Sequence, residues 1–295
     1  PANYERIFAN PEFRSGQLYP QGPGIHYAVL NGRDRDLLEE AGFPCERLHL
    51  LANPVSAAQP QPGGDASPYP GRHLVVYPTR GIRRKNIGEL ILLAGLADPS
   101  SLFVTTLPPA NPEWRPVHDR WEDLARDLEL PVRLGVVDRE NRNFEALIGA
   151  ADYLLTTSIS EGFGLAFLEP FLFGKPLAGR NLPEITRDFA GHGIDLGNLY
   201  RRLTVPLETL NLEALRRRAS SSLAEYYAAY RMRMPEDAPA HFLNAVSEGD
   251  LIDFGALDEQ AQEEVIRSVV RDATTRATLS ADCPLHPTPD EHVET

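Results

Sequence analysis

The sequence predicts an α/β fold in which a parallel sheet is covered by helices on both faces. Short apolar runs alternate with helix-patterned segments between residues 73 and 179, and this alternation is typical of successive strand–helix–strand units. The strand segments are almost continuously apolar, as strands buried on both faces are. The 295 residues suffice for one or two domains, and no apolar run reaches the roughly 18 residues of a membrane-spanning helix.

Five strands are predicted in the alternating region, at residues 73–79, 101–107, 131–137, 152–158 and 175–179. Helical patterns separate them at residues 86–97, 113–130 and 144–151. Together these segments predict a Rossmann-like, doubly wound parallel sheet. Ligands of such sheets bind beyond the carboxyl ends of the strands, so residues that directly follow a strand are the first candidates for a site.

The flanking regions have different patterns. Residues 25–55 read as strand, helix and strand, with Asp34 as the expected N-cap of the helix and Gly42 at its end. Residues 57–71 are rich in Pro, Gly, Ala and Ser, whereas segments 210–234 and 258–279 have a helical pattern. The predicted organisation has four parts: the end of a preceding lobe (1–62), a linker (63–71), the Rossmann-like domain (72–206), and a helical C-terminal section with a polar tail (207–295).

Composition limits the class of partner. The net charge of -13 argues against nucleic-acid binding, which relies on Lys and Arg. Cys45 and Cys283 are too few for a disulfide framework, which favours a reducing, cytoplasmic location. Only two of the 29 cations are lysines, Lys85 and Lys175. Codon bias explains most of that imbalance, but both lysines lie in segments with other features of a ligand site, where ammonium and guanidinium groups are not interchangeable.

A cluster of cations follows the first strand of the alternating region. Arg80, Arg83, Arg84 and Lys85 lie within six residues, and we call residues 80–85 the cationic bend. Four cations at a strand end could neutralise a diphosphate. A solvated arginine-rich loop explains the bend about equally well when it is considered alone.

The segment after the fourth strand carries two acids on either side of a glycine turn. Glu161 and Glu169 stand eight positions apart, with Gly162 and Gly164 between them, and the segment is predicted to open into an apolar helix. A helix start suits an anion, glycines allow close approach of the backbone, and carboxylates accept hydrogen bonds from hydroxyls. Each feature alone is ordinary, but together on successive strand ends they predict a site for a sugar joined to a nucleotide diphosphate.

These segments resemble those of retaining GT-B glycosyltransferases of the family 4 type. EGFGLAFLE (161–169) resembles the E-x7-E motif of that family, and RGIRRK (80–85) resembles its donor-phosphate element. The similarity extends over roughly residues 25–200 and includes the segment between the two motifs. It implies that the chain contains the C-terminal, nucleotide-sugar-binding half of such an enzyme, with the remnant of a preceding lobe.

The resemblance implies a catalytic group and a donor-binding group. Arg80 and Lys85 would hold the donor diphosphate as leaving group, and Glu161 would meet the transferred sugar. Glu169 would accept hydrogen bonds from the ribose hydroxyls. The full set of implied donor-binding residues is Gly162, Phe163, Gly164, Leu165 and Glu169. The implied reaction moves a hexose from the nucleotide sugar to a sugar or small hydroxyl acceptor with retention of configuration, without a cofactor or a metal.

Two departures from the family pattern leave alternatives open. Asn181-Leu182 replaces the usual glycine pair before Pro183-Glu184. A complete GT-B enzyme would have several more strands before Ile25, so we expect most of an acceptor lobe to be absent. The chain could therefore be a non-catalytic nucleotide-sugar-binding module or a truncated enzyme half; a GT-B-type epimerase or phosphorylase is a third possibility. The D-x-D sequence at 34–36 is explained by its place at a helix start rather than by a metal.

Overall fold

The computed structural model describes residues 19–55, 67–197 and 199–281. Residues 63–66 of the predicted linker, Cys283 and the predicted tail lie outside these residues. Contacts divide the chain into two compact units. The first unit comprises Pro1–Ala52 and Pro206–Ile252, and the second comprises Asn53–Val205 and Asp253–Thr295. The four predicted domain limits stay predictions.

The strands are labelled in chain order. They are β1 Tyr27–Val29, β2 Leu48–Leu50, β3 His73–Arg80, β4 Ser101–Leu107, β5 Val132–Arg133, β6 Tyr153–Thr156, β7 Leu177–Arg180, β8 Leu199–Tyr200, β9 Thr204–Pro206, β10 Ser247–Glu248 and β11 Leu251–Asp253.

The α-helices follow the same convention. They are α1 Gly32–Glu40, α2 Ile87–Leu96, α3 Arg115–Asp127, α4 Val136–Arg139, α5 Phe144–Ala150, α6 Glu169–Leu172, α7 Pro183–Ala190, α8 Leu212–Ala229, α9 Ala238–Val246, α10 Glu259–Arg271 and α11 Ala273–Ala281.

The second unit is built on a six-stranded parallel sheet in the order β5-β4-β3-β6-β7-β8. Chain order therefore runs outward from β3 to one edge and then from β6 to the other. This is the strand order of a doubly wound sheet, and its topological switch point lies between β3 and β6. The predicted α/β class with a parallel sheet is confirmed.

The third predicted strand is shorter than expected, and a sixth strand was not predicted. Gly135 adopts φ 69° and ends the extended segment, so that Val136 begins the short helix α4 instead of continuing β5. β8 contains only two residues, Leu199 and Tyr200, which is too short for a periodic signal.

The core of the second unit lies on both faces of the sheet. Leu74, Val76 and Leu154 on one face, and Phe103 and Leu155 on the other, are at most 1% exposed. Burying such a side chain contributes about 1.5–3 kcal/mol. All ten residues of α2 are buried, because this helix packs between β4 and α10. An apolar character all round a helix is typical of such a position.

The first unit contains short elements. β1 and β2 pair in parallel, with α1 between them in sequence. The N-cap of α1 is Asn31, whose side chain accepts a hydrogen bond from the Asp34 amide. The prediction of Asp34 as the cap is therefore wrong by three residues, whereas Gly42, at φ 87°, follows the helix end as expected. In α8 only Leu215 is buried.

The predicted C-terminal helical segments are present. Residues 258–279 form two helices, α10 and α11, with Asp258 as the N-cap of α10 and Asp272 between them. Among the described residues, no helix combines the length and apolar character that crossing a bilayer requires.

Candidate functional site

Two loops meet at the switch point of the parallel sheet. The cationic bend begins at Arg80, the last residue of β3, and residues 157–164, which we call the acidic loop, follow β6. Since β3 and β6 are neighbouring parallel strands, their carboxyl ends lie at the same edge. This is the edge at which doubly wound folds bind ligands.

Hydrogen bonds to backbone carbonyls of the bend and of Asn86 join the two loops. Residues Arg83–Lys85 form a 3₁₀ turn, and Asn86 then adopts a left-handed conformation before α2 begins. The Ile159 amide donates to the Arg84 carbonyl at 2.9 Å. The single proton of the Thr157 hydroxyl is shared between the carbonyls of Lys85 and Asn86, at 2.9 and 3.1 Å from Oγ1. The acidic loop thus fixes the backbone of the bend at Arg84 and Lys85, and that of Asn86 after it.

The side chains of Lys85 and Glu161 contact each other directly. The Lys85 ammonium pairs with Oε1 of Glu161, and Arg84 Nη1 donates to Oε2 at 2.6 Å. Both members of the Lys85–Glu161 pair are largely buried, with side-chain exposures of 13% and 8%. The motif residues that are 76 positions apart in sequence therefore share one site.

A buried hydroxyl chain supports Glu161. Ser158 Oγ donates to Oε1 of Glu161 at 2.6 Å, and the Tyr77 hydroxyl lies 2.6 Å from Ser158 Oγ. Because Ser158 donates its only proton to Glu161, Tyr77 is the donor in the second bond. Sequence analysis did not single out Tyr77, which lies within β3, or Ser158, which lies in the acidic loop.

The electrostatics of the site favour an ionised Glu161. Burial raises the pKa of this carboxyl, but Lys85 and Ser158 lower it more, and the pKa stays below its ordinary value. Burial lowers the pKa of Lys85 despite the attraction of Glu161. Burial also raises the pKa of Glu169, which the charge of Lys85 opposes. Lys85 is thus within electrostatic reach of both motif acids.

The other cations of the bend differ in their environment. Arg80 is exposed, and its guanidinium has no hydrogen-bond or ion-pair partner among the described residues, which leaves it available to an anion. Arg83 instead donates to the Leu257 carbonyl at 2.8 Å and pairs with Glu259 at 3.2 Å. The predicted use of all four cations on one ligand is therefore wrong for Arg83, because the C-terminal section engages it.

Lys175 also has a structural role. Its ammonium donates to the carbonyls of Gly149 and Ala151, at 2.6 and 2.9 Å. These carbonyls belong to the C-terminal end of α5, where a cation is favourable. The suggestion that both lysines belong to a ligand site is not supported for this one.

The glycine turn has one open and one closed position. A Cβ at Gly162 would meet nothing within 4 Å, whereas at Gly164, with φ 93°, it would lie 2.7 Å from Ile185 Cγ2. The Phe163 ring is 9% exposed and packs edge-on against Phe189, so only its backbone is left for a ligand. Leu165 is 37% exposed.

The apolar helix that was predicted after this turn is broken. Leu165–Phe167 form a 3₁₀ turn, and α6 has four residues beginning at Glu169. Pro170 lacks an amide proton, and Gly174, at φ 60°, turns the chain away. So short a helix has a small dipole, and this weakens the expectation that the helix start suits an anion.

A second polar group lies on α3. His118, Asp119 and Glu122 bring their potential metal-ligating atoms within 4.8 Å of one another. Arg139 already pairs with both carboxylates. A cavity of about 570 Å³ also opens near the amino ends of β3–β5, lined by residues that include Arg72 and Arg133. Neither feature contains Lys85 or Glu161.

Comparisons with known proteins give one significant sequence relative. No family model matches the sequence. Over 281 residues the chain is 26% identical to the mannosylglucosyl-3-phosphoglycerate synthase of Petrotoga mobilis, and the match covers 89% of this chain and 54% of that protein. The chain thus spans about half the length of this relative.

The chain also has distant similarity to solved structures. Anabaena Alr3699/HepE in complex with UDP and glucose is 13% identical, with a TM-score of 0.44, and covers 88% of this chain and 57% of its own. WaaG, a glycosyltransferase involved in lipopolysaccharide biosynthesis, is 13% identical, with a TM-score of 0.47, over 98% and 66%. These similarities are too distant to carry an argument about function. By sequence, the chain is a relative of a glycosyltransferase.

Proposed function

We propose that the chain is the donor-binding part of a retaining glycosyltransferase of the GT-B family 4 type. The reaction transfers a hexose from a nucleotide diphosphate sugar to a hydroxyl acceptor. The observation that carries the proposal is the contact between Lys85 and Glu161 at the switch point between β3 and β6. A sugar diphosphate requires two kinds of group: a cation for its phosphates and a carboxylate that accepts hydrogen bonds from its hydroxyls. Lys85 and Glu161 provide these groups side by side.

Lys85 and Arg80 are proposed to bind the diphosphate. In this step Lys85 exchanges part of its contact with Glu161 for phosphate oxygens, while Arg80 supplies an exposed guanidinium. Negative charge accumulates on the leaving diphosphate as its bond to the anomeric carbon breaks. Cations fixed beside that oxygen stabilise the transition state more than the ground state, and no metal is then required.

Glu161 and the glycine turn are proposed to bind the sugar. The carboxylate, kept ionised by Lys85 and Ser158, accepts hydrogen bonds from sugar hydroxyls, and the backbone of Gly162–Gly164 approaches the ring. The acceptor oxygen attacks on the face that the diphosphate leaves, and its proton passes to the departing phosphate oxygen. Retention of configuration follows from that shared face. Glu169 is proposed to accept hydrogen bonds from the ribose.

The test is a panel of UDP, GDP, ADP and their hexose conjugates in thermal-shift and calorimetric titrations. We expect one base to raise the melting temperature with both its diphosphate and its sugar conjugate. Proton NMR of products formed with sugar acceptors then reports the anomeric configuration, and retention is expected. Stabilisation by none of these nucleotides would contradict the proposal, and an inverted product would contradict the retaining mechanism.

A second candidate is a nucleotide-sugar-binding half that does not catalyse transfer alone. The observation that favours it is the length of the relative, since this chain matches only 54% of that protein. This candidate predicts binding of the same nucleotide with no donor turnover. Addition in trans of a segment that corresponds to the unmatched part of the relative, or its fusion to this chain, would then restore transfer.

A further inference from the structure

A buried polar network lies beneath the cationic bend. Arg180 ends β7, and Glu89 stands in the first turn of α2; their side chains are 4% and 0% exposed. Arg180 Nε donates to Oε1 of Glu89 at 3.0 Å, and Nη2 donates to Oε2 at 2.5 Å. This two-bond arrangement is the strongest and most directional form of an arginine–carboxylate pair.

Further groups complete the network. Asp253 accepts from Nη1 and Nη2 of Arg180, at 2.9 and 2.8 Å, and the Tyr200 hydroxyl donates to Glu89 at 2.6 Å. Removing two charges from water costs several kcal/mol per ion, so a buried pair seldom stabilises a fold more than apolar packing would. The network is therefore better explained by what it holds in place.

The network reaches the residue that follows Lys85. Asn86 Nδ2 donates to Oε2 of Glu89 at 2.8 Å, and Asn86 Oδ1 accepts from Gln262 at 2.8 Å. Asn86 is 2% exposed, with φ 52° and ψ 54°, a left-handed conformation that asparagine adopts more readily than most residues. That conformation sets the direction in which the chain leaves Lys85 and enters α2.

We propose that Glu89, Arg180 and Gln262 are positioning residues for Lys85, acting through Asn86. The network fixes the left-handed turn from below, while Thr157 binds the carbonyls of Lys85 and Asn86 from the acidic loop. The Lys85 ammonium is thereby held against Glu161 at the switch point. Binding of a diphosphate by this ammonium rests on the proposed function. The positioning of Lys85 does not depend on it.

The composition of the chain provides a direct readout of positioning. Lys85 and Lys175 are its only lysines, so labelling lysine with ¹³C at the ε-carbon gives two signals in the full chain. Asn86→Gly permits the left-handed turn and removes both side-chain hydrogen bonds without removing a buried charge. We expect the Lys85 signal to move towards that of an exposed lysine while the Lys175 signal stays in place.

Asn141→Gly is the matched control. Asn141 also has a positive φ, 50°, but it is exposed and outside the network, so both lysine signals should remain unchanged. Glu89→Gln keeps the shape of the side chain, removes its charge and should move the Lys85 signal as Asn86→Gly does. If Glu89→Gln does not fold, Asn86→Gly alone still tests whether the network positions Lys85. A folded Asn86→Gly protein with an unchanged Lys85 signal would overturn the proposal.

A second readout concerns the diphosphate. In calorimetry with UDP and UMP, or the corresponding pair for the base that binds, Asn86→Gly should reduce the preference for the diphosphate by about tenfold. In a Lys85→Ala background, Asn86→Gly should not reduce the preference for the diphosphate further. If Asn86 had only a structural role, the substitution would reduce that preference in both backgrounds. An equal loss in that background would overturn the proposal. If the wild type binds no diphosphate, the proposed function fails, while the lysine signals still test positioning.

Discussion

At the residue scale, the two lysines of the chain have separate roles. Lys85 contacts Glu161 at the switch point, whereas Lys175 donates to the end of α5. Lys85→Ala should weaken nucleoside diphosphate binding by about 10- to 100-fold, since a hydrogen bond to a charged group contributes roughly 1.5–3 kcal/mol. Lys175→Ala is the control: it should lower the melting temperature and leave the affinity unchanged. Calorimetry that finds equal affinities for wild type and Lys85→Ala would contradict the role of Lys85.

The pKa of Glu161 predicts a pH dependence of stability. Burial raises this pKa, but Lys85 and Ser158 bring it below the ordinary value of 4.5. The ionised carboxylate therefore stabilises the fold above about pH 4.5, and this contribution is lost as the pH falls through the lower folded pKa. Glu161→Gln should cost roughly 1–3 kcal/mol at pH 7, and the difference from wild type should shrink at lower pH.

Urea unfolding at a series of pH values between 7 and 3 measures this difference. Glu145→Gln is a suitable control, because the Glu145 side chain is exposed and makes no ion pair within the described part of the chain. A Glu161→Gln difference that grows towards low pH would contradict a lowered pKa of Glu161 in the folded protein.

The sequence was sufficient to predict which residues meet at the site but not every partner they have. Lys85 and Glu161 could be anticipated as neighbours, because both follow central strands of one parallel sheet. The engagement of Arg83 by Glu259 could not, since these residues are 176 positions apart and belong to different predicted domains. The contact between Arg180 and Glu89 could likewise not be predicted from the sequence, because neither residue belongs to a motif.

At the scale of elements, the contact between β6 and β7 depends on one glycine. Gly179 has φ 128°, and a Cβ there would lie 1.9 Å from the Thr156 carbonyl oxygen on the neighbouring strand. Because backbone cannot move aside cheaply, Gly179→Ala should destabilise the fold by more than about 3 kcal/mol or prevent folding. The measurement is chemical unfolding monitored by circular dichroism.

Gly149→Ala is the matched control for this substitution. Gly149 lies in α5, and a Cβ there would meet nothing within 4 Å. Alanine should therefore be neutral or stabilise by up to about 1 kcal/mol. Similar unfolding midpoints for the two variants would contradict the proposed importance of the close approach at Gly179.

Elements were predicted best where the apolar pattern is long. The strands at β3 and β4 and the helix α2 match their predicted segments closely, because near-continuous burial leaves an unbroken apolar signal. The break after Gly164 was missed. There a Pro and a Gly interrupt an apolar run that reads as a helix, and the hydrophobic periodicity outweighed these two local signals in the prediction.

At the scale of the whole molecule, exposed apolar surface is concentrated in the first unit. Ten of the thirteen exposed large apolar or aromatic side chains in the described chain belong to it, including Leu37 and Leu51 at 52% and 64% exposure. Concentrated apolar exposure promotes association. We expect the isolated chain to self-associate as its concentration rises, and sedimentation velocity would measure this.

Charged substitutions in the first unit test the cause of association. The double variant Leu37→Glu, Leu51→Glu should reduce self-association and leave nucleotide affinity unchanged, because both positions belong to the first unit whereas Lys85 and Glu161 belong to the second. Tyr153→Ser, in the second unit, removes an aromatic side chain of 40% exposure and should have little effect on association. A wild-type chain that stays monomeric at every concentration would contradict the expectation.

The central claim is that the cationic bend and the acidic loop enclose one nucleotide sugar. It is tested most directly by a crystal structure of the chain with the sugar nucleotide that gives the largest thermal shift in the panel. We expect the diphosphate within hydrogen-bond distance of Lys85 and Arg80, and the hexose beside Glu161. A ligand bound instead in the cavity lined by Arg72 and Arg133 would contradict the claim.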